Sequence, residues 1–281
     1  MSSGAPGDAL AEGSGARREE APSAAPAAPQ AMPRGTRRLP VEVPVPVTER
    51  QIVRFSVHQR AQHFLMMTSV LLLVLTGLPQ KFYDWPASQL AIRFFGGADN
   101  ARGIHHFAGW LMLAAAAYHL VWLACIAVAR RRLPTRMVPT LGDARDFAQN
   151  TAYCLGMADE KARIGRYSYL EKFDYLAVFW GVPLMGLTGL ILMFPLEVTT
   201  WLPGVALPVA TIAHSDEAVL ATGWLLVVHF YNAHFAPHIF PFNRSIFTGR
   251  VPEHLYKLEH PLDYEEQQLA DAMAPEASRS S

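Results

Sequence analysis

The chain has 281 residues, 51% of them hydrophobic and 17% charged, with a formal net charge of +0. Soluble globular chains carry about 25% charged residues, so the deficit points to long apolar segments rather than to an ordinary soluble domain. Without a basic excess, nucleic acid is not an expected partner, and two cysteines, Cys125 and Cys154, make no disulfide framework, zinc site or iron–sulfur site.

Residues 1–47 are rich in Ala, Pro, Gly and Ser, with arginines at Arg34, Arg37 and Arg38. They lack the apolar core of a signal peptide and cannot bury enough surface to offset ordering entropy, so a disordered tail is expected there. Four apolar segments follow, at about 61–79, 103–129, 173–196 and 216–236, the third containing Pro183 as an expected kink. A bilayer core of roughly 30 Å needs about 20 apolar residues as helix, and backbone groups in lipid must be satisfied internally. The expected fold is therefore all-α, an integral membrane four-helix bundle over residues 48–264, with a flexible tail at 265–281. Residues 201–213 (WLPGVALPVATIA) are too short and Pro-rich to span and are expected to form an interfacial or re-entrant lid.

Basic residues set the orientation. Arg50, Arg54 and Arg60 precede the first segment, and nine Lys and Arg residues from Arg130 to Lys172 lie between the second and third. Arg244, Arg250 and Lys257 follow the fourth, whereas no Lys or Arg occurs from Pro195 to His214. Both termini and the long middle connection are thus expected in the cytoplasm. Thr76-Gly77-Leu78 and Thr188-Gly189-Leu190 recur near the outer ends of the first and third segments, a hint of internal repetition.

Most of the eleven histidines fall in or beside the apolar segments. Polar groups at membrane depth are costly and usually face the bundle interior for a reason, and neutral imidazole is a standard axial ligand of haem iron. No Cys-x-x-Cys-His occurs, so covalent haem attachment is excluded. His105 and His119 are 14 residues apart, about 40° from the same helix face and about 21 Å along the axis; His214 and His229, 15 apart, give about 60° and about 22 Å. Two haems would then lie at levels about 20 Å apart. His214 is expected just before the regular helix, with Ser215, Asp216 and Glu217 forming its first turn. Depth pairs His105 with His214 near the outer surface. At the inner level His229 can pair with His63 or with His119, and periodicity leaves both open. Arg60 and Arg102, each three residues before a histidine, are candidate partners for haem propionates. His234 and His238 have metal-like spacing but enclose Pro237, which argues against a metal site.

The runs RAQHFLMMTSVLLLVLTGLP, Arg102-Gly-Ile-His105, GRYSYLEKFDYLAVFWGVPLMGLTGLILMFP, IAH, HFYNAHF and SIFTGRVPEHLYKLEHPLDY, in this order, resemble the cytochrome b (gamma) subunit of membrane-bound formate dehydrogenase. The wider family includes the b-type cytochromes of nickel–iron hydrogenases. The resemblance covers about residues 54–264. It implies four membrane helices, two haem b groups with axial ligands His63, His105, His214 and His229, and a quinone as exchangeable substrate near the cytoplasmic haem. Here the last two ligands are 15 apart where the family has 14, so a bulge or a shifted helix start is required. The polar position that the family places near the quinone falls at Thr222-Gly223, and His119 is an addition that could border the inner haem. Tyr118, His119 and Asn232 are candidate proton donors to the quinone.

The reading is an electron-transfer subunit of a quinone-linked oxidoreductase in a bacterial inner membrane, multi-pass, surrounded by membrane lipid. Its partner would be a peripheral iron–sulfur or multihaem subunit, because the chain holds no substrate-oxidising cofactor of its own. A stand-alone ferric or quinone reductase and a haem-free anchor or transporter are the competing readings.

Overall fold

The computed structural model describes residues 49–132 and 134–273; the tail expected at 1–47 and the end of the C-terminal tail lie outside the described residues. The membrane part is the expected helical bundle, with four helices long and apolar enough to span: α1 (Val57–Lys81), α3 (Ala98–Arg130), α5 (Tyr169–Met193) and the continuous run Ala206–Phe235. A nine-residue helix, α2 (Pro86–Phe94), joins α1 to α3 on one side of the bundle. On the opposite side, α4 (Leu141–Cys154) joins α3 to α5. Gly96 and Gly97, at φ 85° and 105°, make the tight turn into α3, a backbone conformation only glycine adopts freely.

Sequence dictates where these helices start. Ser56 and Ser168 each accept from the backbone three residues on, and Gln59 and Glu171 reach back to the capping residue, giving α1 and α5 the same reciprocal N-terminus. These caps start α1 and α5 about four residues before the apolar windows at 61 and 173. Helix α5 continues without a break through Pro183.

The fourth helix corrects the expected lid. After a four-residue turn, α6 (Pro195–Val198), residues 206–213 are the first turns of α7 (Ala206–Trp224). Pro208 does not prevent this, because the first N–H groups of a helix have no intrahelical partner to lose. Ser215, Asp216 and Glu217 therefore lie well inside α7 and do not form its first turn; Ser215 and Asp216 instead accept from Lys81 Nζ, at 2.8 and 2.6 Å, at the end of α1. Beyond Trp224 the helix widens into two π turns, Leu225–His229 and Tyr231–Phe235, before ending at Ala236. Both cysteines are free and exposed.

Helix α1 packs chiefly on α3, and α5 on α7; the α1–α7 and α3–α5 seams are looser. A cap closes the end of the bundle where α1 and α5 begin. Strand β1 (Gln51–Val53) pairs antiparallel with β2 (Arg250–Pro252), and α8 (Ser245–Thr248) leads into β2. Gly249, at φ 78°, sits so close to the Phe55 carbonyl that any Cβ would collide with it. After β2 come α9 (Glu253–Glu259) and α10 (Pro261–Met273). Helix α10 runs nine residues past the expected end of the domain, held by Gln267 Nε2 donating to Asp263 and by Tyr264 Oη donating to Glu253.

At the centre of the cap, Arg54 is only 4% exposed. Its guanidinium donates to Glu171 Oε1 at 2.9 Å and to the Arg166 carbonyl, while Arg166 donates back to the Arg54 carbonyl at 3.2 Å. Asp263 accepts from buried Tyr256 and pairs with Arg166 at 3.5 Å. Burial pushes the Asp263 carboxyl up, but donation from Tyr256 and Gln267 and the charges of Arg166 and Arg136 outweigh it and hold it below its ordinary value.

Removing buried Arg54 leaves the Arg166 carbonyl and Glu171 without their donor, so Arg54→Ala should cost about 1–3 kcal/mol, read as earlier unfolding of the detergent-solubilised chain. Because the Asp263 carboxyl is depressed on folding, its contribution is present above the unfolded value and is lost as pH falls through the folded one. Limited proteolysis should accordingly release α10 faster as the solution is acidified through that range, and Asp263→Asn should flatten the dependence.

Candidate functional site

The site is built from polar residues on the inner faces of the spanning helices. His105 on α3 and His214 on α7 face each other with ring centroids 6.2 Å apart and planes at 71°. His63 on α1 and His229 on the extension of α7 do the same at 6.3 Å and 28°, across the loose α1–α7 seam. All four residues expected from sequence thus come together as two pairs.

Hydrogen bonds at Nδ1 define the protonation of three of these rings. Thr76 gives its one hydroxyl proton to the Leu72 carbonyl at 2.6 Å, so its oxygen accepts from His105 Nδ1 at 3.0 Å. Thr188 repeats the arrangement, donating to the Leu184 carbonyl at 2.7 Å and accepting from His214 Nδ1 at 2.9 Å. His229 Nδ1 donates to Asp174 Oδ2 at 2.9 Å, and the other oxygen of Asp174 accepts from Trp224 Nε1 at 2.6 Å. With the proton on Nδ1, each Nε2 carries a free lone pair and has no protein hydrogen-bond partner among the described residues. His63 makes no side-chain hydrogen bond among them.

His119 is placed differently. Its Nδ1 donates to Gln62 Oε1 at 2.9 Å, and its Nε2 accepts from Tyr175 Oη at 3.0 Å, so both nitrogens are occupied by protein. Tyr118 bonds His58 at 2.7 Å, and Asn232 donates to its own helix at Val228. Thr222 likewise bonds back to Ala218. Arg60 donates to the Phe247 carbonyl at 2.6 Å, whereas Arg102 is exposed and pairs with Asp99 at 3.4 Å.

The four imidazoles fit a metal held in a planar macrocycle. A metal–imidazole bond is about 2 Å and the nitrogen is about 1.1 Å from the ring centre, so two trans imidazoles on one metal have centroids about 6.2 Å apart. Both pairs match that spacing. The rings also sit in fitted cradles: a Cβ on Gly77 would lie 2.8 Å from His105 Cε1, and one on Gly189 would lie 3.2 Å from His214 Cε1.

These contacts expose an internal repeat. Arg54 and Arg166, the capping pairs Ser56–Gln59 and Ser168–Glu171, Gln62 and Asp174, His63 and Tyr175, and Thr76-Gly77 and Thr188-Gly189 are all related by 112 residues. On the second helix of each repeat His105 and His214 are 109 apart, while His119 and His229 are 110 apart. The π turn Leu225–His229 absorbs the additional residue, which is the bulge that the 15-residue spacing requires. Sequence reasoning missed Gln62, Asp174 and Tyr175; the 112-residue offset, extended from the Thr-Gly-Leu repeat toward the helix starts, is the signal that finds them.

A family model described as prokaryotic cytochrome b561 matches residues 54–249, from the buried arginine of the cap through all four spanning helices. No curated protein matches the chain.

Alanine is a better helix former than glycine by about 1 kcal/mol, yet Gly77→Ala should destabilise the chain, by about 1–3 kcal/mol, because the added methyl overpacks against the His105 ring. Gly189→Ala should cost less, its nearest contact being looser. Unfolding midpoints of the two variants in one detergent give the comparison.

Proposed function

The chain belongs to the prokaryotic cytochrome b561 family, a multi-pass membrane cytochrome of b type that carries electrons, and we propose that it holds two haem b groups and links a peripheral redox partner to the quinone pool. The carrying observation is the pair of imidazole gaps, 6.2 and 6.3 Å between centroids. In this reading His105 and His214 hold the outer haem, and His63 and His229 the inner one. Bound haem supplies one-electron chemistry whose potential follows its ligands, their hydrogen bonds and burial.

The protein's own part is orientation and tuning. Thr76 and Thr188 keep the outer rings in the tautomer that presents Nε2, without adding charge. Asp174 does the same for His229 with a carboxylate, which makes that imidazole a stronger donor to iron. His119, with Tyr175 on its Nε2, borders the inner level without an open nitrogen. The resemblance to the gamma subunit of formate dehydrogenase supports a formate-dehydrogenase-like partner carrying iron–sulfur clusters or several haems, attached at the outer face. It also supports a quinone near the inner pair and an inner-membrane location with the basic connections in the cytoplasm.

A reduced-minus-oxidised spectrum of membranes bearing the full chain should show b-type bands with two redox components. His105→Ala or His214→Ala should remove one component, and His63→Ala or His229→Ala the other, while His119→Ala should keep both. A tagged chain should co-purify a peripheral redox subunit; purification alone would favour a stand-alone reductase. A colourless chain from cells with ample haem would sink the proposal.

A further inference from the structure

Three buried side-chain nitrogens have no hydrogen-bond partner among the described residues: Arg60 Nε, Gln62 Nε2 and His234 Nδ1. An orphaned buried donor costs about 1–3 kcal/mol, so each calls for an explanation. Gln62 belongs to an amide already engaged with His119. The other two share one location, the cytoplasmic floor of the α1–α7 seam.

Arg60 lies one helical turn below His63 on α1. His234 lies five residues beyond His229, inside the π turn Tyr231–Phe235, where bonds run from residue i to i+5, as from Ala236 N to the Tyr231 carbonyl at 2.9 Å. In an α-helix a side chain five residues on would point away from His229; the wider turn brings it back near the same face. Both donors are also fixed from below by one loop. His234 stacks on Phe242 at 4.3 Å and 6°, Phe242 contacts Phe247 at 5.8 Å, and the Phe247 carbonyl holds Arg60 Nη1 at 2.6 Å. The loop thus holds both side chains, and one nitrogen of each keeps no protein partner among the described residues: Arg60 Nε, which passes beside Gly249 at the rim of the cap, and His234 Nδ1.

We infer that Arg60 Nε and His234 Nδ1 are the two donors that receive the propionate carboxylates of the inner haem. The inference rests on the two-haem reading above. Haem carries two carboxylates on one edge, and a bilayer offers them no water, so two fixed N–H groups at one level, one cationic, match that chemistry. Arg60 was expected from its spacing to His63; its outer counterpart Arg102 is exposed and paired with Asp99 and does not share this setting. His234 takes the second place, for which sequence gave no sign.

The test is an optical redox titration of membranes carrying the full chain, with the inner component identified as the one missing in His229→Ala. In His234→Leu and in Arg60→Leu that component should shift to lower midpoint potential, since an uncompensated carboxylate favours ferric iron, while the outer component stays in place. His234→Asn, which restores an N–H donor, should return the potential toward that of the unmodified chain. Should His234→Leu instead lose the inner haem, recovery of it in His234→Asn supports the assignment. An unshifted inner component in both leucine variants overturns it. So does a shift or loss that His234→Asn does not repair, which assigns His234 to packing on Phe242. Absence of haem from the unmodified chain overturns the underlying two-haem reading instead.

Discussion

A histidine in a membrane bundle can pack, hydrogen-bond or ligate, and the choice depends on whether one ring nitrogen is left open. Here Thr76, Thr188 and Asp174 each accept a hydrogen bond from one ring nitrogen and thereby leave the other open. The two threonines can only accept, because each spends its own proton on a carbonyl of its own helix. Much of the local architecture follows from these bonds. They require α1 close to α3 and α5 close to α7, which are the two tight contacts of the bundle. They also favour glycine beside each threonine, since an added Cβ would press on the ring, hard at Gly77 and more lightly at Gly189.

The repeat makes the asymmetry at the inner level informative. Each half places a histidine on its second helix and a hydrogen-bonding residue on its first: Gln62 for His119, Asp174 for His229. The fourth member differs. Where α1 presents His63 to His229, α5 presents Tyr175 to His119, and a phenol hydroxyl fills the nitrogen that an iron would need. Two seams of similar ancestry thus become one candidate haem gap and one closed hydrogen-bonded cluster. A single pair of residues at the 112-residue offset, His63 and Tyr175, accounts for the divergence.

The four spans and the four inward histidines were legible because each is a one-dimensional signal: an apolar run, an ionisable group at depth. What sequence left open were matters of partnership. His63 and His119 lie at similar depth, and only the Tyr175 contact separates an open nitrogen from an occupied one. Asp174 and Gln62 stand near helix ends, where a polar residue usually meets the interface and so draws no notice. The lid at 201–213 was misread because Pro203 and Pro208 suggest a break, although Pro208 sits in the first turn of α7, where a helix tolerates it. The C-terminal boundary was misplaced because α10 is polar and amphipathic, and its order comes from Asp263 and Glu253 rather than from apolar burial.

The inner level also shows how charge can be kept in a membrane segment. Asp174 places a carboxylate there, which is costly unless its oxygens are satisfied. Both are, one by the His229 ring and one by the Trp224 indole. On the proposed reading Arg60 supplies a positive charge one turn nearer the cytoplasm, opposing the carboxylates about it. The two act on the iron in opposite senses: a carboxylate behind the axial imidazole favours the ferric state, and a cation at the propionate edge favours the ferrous. The outer level has neutral threonines behind its imidazoles and no comparable buried pair of donors among the described residues. On the proposed reading, two sites alike in ligation would therefore differ in electrostatics, and the difference lies on the first helix of each repeat, Arg60 on α1 and Asp174 on α5.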